Sequence, residues 1–302
     1  HFDKGRYYDS EELFRAVLDL QERVLGQEHP DTLATMSNMA TLYRAMDQFE
    51  QAESLYLAVR EARQRTLTLR HPNTLNTLNG LANLYADQGR RDEAEELYRQ
   101  CLELRTEVMG SDHPDTLMSL NNLALLLKEK GSLQEARVMY EELLEAKSSS
   151  SSLGPKHPST LQTMNNLAIL YAELGRSEEA EALYRETLER RQRVLSPTHP
   201  DTLATLNNLG VLLEKQERWE EAESIYLEVL AAKQEALGPT HRDTELTMLN
   251  LGNLYLSMGR IEEAEALFQT VLDQTTQRDQ TDGPGYRRAQ QGLERIRERQ
   301  KD

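Results

Sequence analysis

Six of the seven histidines stand at one phase of the chain: His29, His71, His113, His157, His199 and His241, at intervals of 42, 42, 44, 42 and 42 residues. Imidazoles at such positions invite a metal reading. A shared metal site needs several of them about 2 Å from one ion, and residues a full repeat apart cannot meet there. Each lies where a helix should begin, so capping and loop packing account for them better. The single cysteine, Cys101, falls in a column that holds Val59 and Leu143 in neighbouring units, which predicts a buried structural thiol. Carboxylate pairs such as Glu95-Glu96 and Glu220-Glu221 fit a solvated helix face better than paired catalytic acids. There is no phosphate-cradling glycine loop, no Ser-His-Asp set outside the repeat and no His-Glu-x-x-His run. The expectation is a protein with no active site, metal or cofactor.

The elements that position these residues follow from the same period. Five of the six histidines precede proline and the sixth stands in His241-Arg242. Proline suits the first helical position, and the residue before it avoids the helical region, so each His is a cap or pre-cap residue. Asp31, Asp115 and Asp201 then put a carboxylate in the first turn, where the helix dipole favours it. In the third unit Leu117, Leu120, Leu123-Ala124 and Leu126-Leu127 step by three and four, the spacing of one buried stripe. Gly131, like Gly89, Gly175 and Gly259, ends that stripe as a helix C-terminal glycine should, and a second stripe follows. Each unit is therefore a helical hairpin.

A period near 42 leaves HEAT, armadillo and tetratricopeptide architectures open. Two columns of small residues arbitrate: Ala40, Ala82, Ala124, Ala168, Gly210 and Gly252 in the first helices, and Ala52, Ala94, Ala136, Ala180, Ala222 and Ala264 in the second. Tyr56, Tyr98, Tyr140, Tyr184, Tyr226 and Phe268 then fill the space against the next unit. At these residues, most fully in His113 to Tyr140 and His157 to Tyr184, the chain resembles the tetratricopeptide repeat (TPR) of the 42-residue kind found in kinesin light chains. The resemblance covers roughly Leu13 to Asp279 and implies an all-α, right-handed superhelical solenoid of tandem TPR hairpins. It places the extra length in about two turns of the second helix.

The resemblance also implies a concave groove, lined by the first helices, in which extended peptides bind. Carried onto this chain, the groove columns are Ser37, Asn79, Asn121, Asn165, Asn207 and Leu249, and one turn on Thr41, Asn83, Leu125, Ile169, Val211 and Asn253. An amide offers two donors and an acceptor, so Asn79, Asn121, Asn165 and Asn207 either clamp a peptide backbone or tie neighbouring helices together; both readings stand. The adjacent column, Asn38, Asn122, Asn166, Asn208 and Asn250, reads as ties. Arg44, Lys128 and Lys215 face Asp87, Glu129, Glu173 and Glu214 in the next column. Kinesin light chains take cargo peptides with a tryptophan among acidic residues. The mixed lining here makes neutral or basic ligands at least as plausible.

The expected organisation is a partial repeat (second helix only) over 1–28, six 42-residue units over 29–280 with a Ser-rich insertion at 148–152, and a capping helix over 281–302. The serines predict that the preceding helix ends near Lys147, before a mobile loop. The final helix carries a narrow stripe of Tyr286, Ala289, Leu293 and Ile296 among arginines, which reads as a polar cap on the stack. Since the chain opens at His1, an excerpt of a longer protein or a tag remnant is expected.

Composition narrows the partners. With 35 Lys and Arg against 51 Asp and Glu, the net charge is −16, so phosphate backbones and anionic membrane surfaces are excluded as general ligands. No stretch approaches the ~20 apolar residues of a membrane helix. One cysteine fits a reducing, cytoplasmic setting. The reading is a protein-interaction scaffold that binds a protein or extended peptide in its groove, as a kinesin-light-chain-like adaptor. Two alternatives are the sensor region of a larger signalling ATPase and an array used for weak self-association.

Overall fold

The computed structural model describes residues 2–278, 281 and 283–299, the side chains from Tyr7 onward. The expected boundary at residue 280, the chain start at His1 and the last three residues lie outside these. Fourteen helices and no strand occur among the described residues, which meets the all-α expectation. They form two compact units divided after Ser152. The first holds α1 (Phe2–Val24) and the hairpins α2–α3 (Pro30–Ala45, Phe49–Thr66), α4–α5 (Pro72–Asp87, Arg91–Met109) and α6–α7 (Pro114–Glu129, Leu133–Ser149). The second holds α8–α9 (Pro158–Glu173, Ser177–Val194), α10–α11 (Pro200–Lys215, Trp219–Leu237), α12–α13 (Arg242–Ser257, Ile261–Gln277) and α14 (Pro284–Arg299).

First helices begin as the sequence dictates. At each of the six recurrent histidines, Nδ1 accepts the backbone N–H two residues on, at 3.1–3.2 Å. The imidazole thus satisfies one of the donors a helix start leaves open. A buried threonine follows and closes the loop before it: Thr32 donates to the Gly26 carbonyl, Thr160 to Gly154, Thr202 to Ser196 and Thr244 to Gly238. Thr116 occupies the same place, but its hydroxyl is buried without a partner.

First helices end on a left-handed residue. Gly89, Gly131, Gly175 and Gly259 have φ of 74–83°, and Asp47 and Glu217 adopt φ of 58° and 60° at the equivalent positions. The left-handed region costs a non-glycine residue about 1–2 kcal/mol, and glycine's extra chain entropy returns about 0.5–1. Glu217→Gly is therefore expected to stabilise the second unit by roughly 0.5–1 kcal/mol. Thermal unfolding followed at the neighbouring Trp219, the sole tryptophan, reads this out as a raised midpoint; a lowered midpoint refutes it.

Second helices run 17–19 residues against 16 for the first. Their small column is fully buried: Ala52, Ala94, Ala136, Ala180, Ala222 and Ala264 are 0% exposed. The aromatic column packs in both directions rather than against the next unit alone. A Cβ on Gly252, in the same hairpin, would meet the Phe268 ring at 2.8 Å, and one on Gly292 of α14 at 2.6 Å. Helix α7 runs to Ser149, two residues past the expected end. Lys147 is buried within it, and serine in a last turn costs a helix little.

Gly283 lies 42 residues after His241, so α14 takes the register of a first helix. Its Ala289, Gly292, Leu293 and Ile296 are buried on α13 and α12. Arg287, Gln290, Glu294 and Arg297, in the columns of Leu203, Leu206, Gly210 and Leu213, are exposed and polar. In the hairpin beneath, Glu245 replaces the leucine of Leu33, Leu75, Leu117, Leu161 and Leu203. It is buried and receives the guanidinium of Arg278, which also donates to the Thr240 carbonyl.

Candidate functional site

In the first unit, two cavities of about 310 and 170 Å³ adjoin, both lined by Arg44 and Asn83. The larger is walled by Ser37, Asn38, Thr41, Tyr56, Asn76 and Asn79, with Arg63 and Arg105 among its lining and Met118 at its rim. The smaller adds Asp87, Tyr98, Asn122, Leu125 and Glu129. Arg44 and Asp87 form an ion pair at 3.3 Å between α2 and α4. Tyr56 shares a 2.8 Å hydrogen bond with Thr41, and burial pushes its phenol up from the ordinary value. The Tyr98 hydroxyl donates to Asn83 Oδ1.

The amide columns bond chiefly to one another. Asn122 Nδ2 reaches Oδ1 of both Asn79 and Asn83 at 3.4 Å. In the second unit Asn208 donates to Asn165 Oδ1 at 3.4 Å, and Thr205 donates to the same oxygen at 3.1 Å. Asn250 donates to Asn207 Oδ1 at 3.1 Å. Asn79 and Asn165 are buried, whereas Asn207 is half-buried. The side chains of Asn121 and Asn253 are half-buried and make no hydrogen bond among the described residues.

The apolar members diverge. Leu125 is 44% exposed in the smaller cavity, while Ile169 and Val211 are half-buried against the core of the second unit. Lys128 is half-buried in the last turn of α6 and lines neither cavity. Glu214 lies under the Tyr226 hydroxyl, and burial holds its carboxyl above the usual range, against the lowering effect of that bond. The cavities thus gather Asn79, Asn83 and Leu125; Asn121 and Lys128 lie outside them, and Asn165, Ile169, Asn207, Val211 and Asn253 belong to the second unit.

The sequence reading missed a second column. Arg63, Arg105, Lys147, Arg191 and Lys233 recur at one phase of the second helices, and all are buried. Arg105 Nη1 donates at 2.7 Å to the Asp115 carbonyl and to Ser119 Oγ. Arg63 bonds Asn73 and Thr77 in the same way, Arg191 bonds Asp201 and Thr205, and Lys233 bonds Asp243 and Thr247. Arg63, Arg105, Arg191 and Lys233 each clamp the start of the following first helix. Burial alone lowers the Arg63 pKa. The signal was present as a cation at one phase of the repeat, every 42 or 44 residues, but cations on a charged helix read as solvated. Cys101 belongs beside them: it is fully buried, its thiol donates to the Leu75 carbonyl at 3.4 Å, and burial raises its pKa.

This geometry, repeated hairpins with a groove on their first helices, defines a helical repeat protein of the interaction-scaffold class. The tetratricopeptide repeat model matches residues 1–65, 33–107, 73–149, 147–193, 171–235 and 201–277, and the chain belongs to that family. Among solved structures it is similar to the nearly identical TPR-like repeats of a Podosopora anserina chain described as a kinesin light chain. Identity there is 28%, with 68% of this chain and 97% of that one covered at a TM-score of 0.63. BtubC (BKLC) from P. vanneervenii is similar at 26% identity, 79% and 93% coverage and a TM-score of 0.63. A tetratricopeptide repeat protein of Parabacteroides merdae, at 17% identity, 88% and 92% coverage and a TM-score of 0.59, shares the fold. No curated protein matches. Among the described residues no helix is long and apolar enough to cross a membrane.

Proposed function

We propose that the paired cavities of the first unit bind an extended peptide segment of a protein partner. The observation that carries this reading is Leu125, an apolar side chain left 44% exposed in a cavity that it lines with Ala86, Leu126 and Tyr98 among amides and charges. Such a patch accepts one apolar side chain, as peptide-binding grooves do. Arg44 is already paired with Asp87, and Glu129 is exposed beside them with no ion pair among the described residues, so a Lys or Arg next to the apolar residue complements the site. Asn83, on both cavity walls, is placed to meet the peptide backbone. In the second unit Asn121's counterparts Asn165 and Asn207 hold helices together, so the amides offered to a ligand there are the uncommitted Asn253 and the Nδ2 of Asn207. The activity is adaptor binding without catalysis or cofactor.

Peptides selected from a random library against the whole chain test this. The expected consensus is an apolar residue adjoining Lys or Arg. Leu125→Glu is expected to weaken selected peptides by at least about tenfold, corresponding to ~1.4 kcal/mol. The exposed position lets the variant fold. Peptides that bind the variant unchanged move the site elsewhere.

A further inference from the structure

The larger cavity of the first unit holds one cation more than its partners balance. Three arginines line it. Arg44 is paired with Asp87, and Asp115 stands at the turn that Arg105 grips. Arg63 has no such counterpart. The residue ten positions on is Asn73, where Arg105, Arg191 and Lys233 have Asp115, Asp201 and Asp243. Burial lowers the pKa of Arg191 and of Lys233, and the aspartates Asp201 and Asp243 oppose it; at Arg63 burial acts alone. The side chain is 5% exposed, so its charge is held out of water with no carboxylate paired to it among the described residues.

The same side chain is short of acceptors. Arg105 and Arg191 each extend Nη2 to an amide oxygen 29 residues earlier, Asn76 Oδ1 at 2.5 Å and Gln162 Oε1 at 2.8 Å. Ala34 holds that position before Arg63. Arg63 commits Nη1 alone, to the Asn73 carbonyl and Thr77, and its Nε and Nη2 make no hydrogen bond among the described residues. Neither nitrogen is sealed from solvent, as the Nε of Arg105 and of Arg191 is. That edge of a guanidinium is a two-donor fork that matches an oxyanion. Nearby amides add donors. A guanidinium only donates, so Arg105 takes the Oδ1 of Asn76 and leaves its Nδ2 unpartnered. Asn122 takes the Oδ1 of Asn79 with the same result.

We propose that the larger cavity is an oxyanion subsite, in which the Arg63 fork grips a phosphate or carboxylate group and the Nδ2 atoms of Asn76 and Asn79 donate to it. Its volume of about 310 Å³ suits a small group of this kind. The anion supplies the counter-charge that Asn73 does not and the acceptor that Ala34 does not. It arrives either as a free ion or on the segment held at Leu125, since the two cavities share Arg44 and Asn83. Only the second source rests on the peptide reading above.

Inorganic phosphate is titrated onto the whole chain at constant ionic strength, and the Arg63 Nε–H resonance is followed by NMR. A saturable shift is expected that chloride does not produce. Two variants isolate the fork. Ala34→Asn, at an exposed position, offers Arg63 the amide oxygen that Asn76 gives Arg105, and should leave the resonance insensitive to phosphate. Arg63→Lys keeps the two contacts that Lys233 makes in the second unit, so α4 stays held. It should weaken phosphate at least about tenfold, read from the side-chain amides of Asn76 and Asn79. For the segment source, a glutamate is walked along the flanks of a peptide that Leu125→Glu weakens. One position should gain at least about tenfold in affinity, and Ala34→Asn should abolish the gain. A gain at no position, with phosphate still bound, keeps the subsite and makes the free ion its occupant. Absence of a saturable shift overturns the proposal. So does a shift undiminished in Ala34→Asn, because the ion then sits elsewhere. Peptides insensitive to Leu125→Glu would end the peptide reading and leave the phosphate result standing.

Discussion

Arg105→Ala is expected to destabilise the first unit by at least about 3 kcal/mol, more than any surface change. The side chain is 0% exposed and its guanidinium serves three acceptors: the Asp115 carbonyl, Ser119 Oγ and Asn76 Oδ1. A hydrogen bond to a charged group contributes about 1.5–3 kcal/mol, and losing several at once leaves acceptors buried without donors. Relief from holding a cation out of water offsets part of this, and graded replacements separate the two terms. Lys233 does the same work in the second unit with two bonds of 3.1 Å, so Arg105→Lys should keep two of the three contacts. Arg105→Met keeps the volume and removes both charge and donors. The expected order of stability is Arg, Lys, Met, Ala. Hydrogen exchange at the start of α6 measures it, because that turn is what the guanidinium holds. Equal protection in the methionine and wild-type proteins would show that volume alone matters.

Phe268→Ala is expected to cost about 3–5 kcal/mol, the usual range for emptying a buried aromatic site. The ring is 0% exposed and wedged between two glycines, which have no side chain to fill the space. Helix α14 rests on that ring through Gly292, and its amides should lose protection before those of α10 or α11. A double-mutant cycle sharpens the argument. Gly252→Ala alone drives a methyl group to 2.8 Å from the ring and should cost about 1–3 kcal/mol. In the Phe268→Ala background the same methyl enters an empty site, so it should be neutral or stabilising. Additive effects of the two substitutions would contradict the contact.

The repeat made the helices, their caps and the small and aromatic columns legible, because the same local choice recurs in every unit and chance resemblances average out. His29 through His241 are caps whatever lies beyond them, since the bond is made two residues away. What the pattern could not supply was pairing. An asparagine's type says how many bonds it makes and not with whom. Asn79 and Asn165 turned out to be acceptors for the next hairpin, while Asn121 on the same column makes no side-chain bond among the described residues. The buried cations were hidden for a different reason. Arg105 sits among Glu103, Thr106 and Glu107, a stretch that reads as a wet surface, and its partners are a backbone carbonyl and hydroxyls that no charge pattern reveals. Leu125 was legible as an apolar member of its column, but its exposure, unlike that of Ile169 and Val211, depends on the neighbouring helices.

The polar outer face of α14 constrains how an array of this kind can lengthen. Appending a hairpin after that helix would require Arg287, Gln290, Glu294 and Arg297 to become apolar together, and each single step would leave its successor's face unmatched. Inserting a 42-residue block between hairpins of one unit asks for no such coincidence, since neighbouring hairpins there already fit their own kind. Variation in repeat number, by recombination or by a protein engineer, should therefore arise within the array, and hairpin grafts made before α14 should fold where grafts made after it fail.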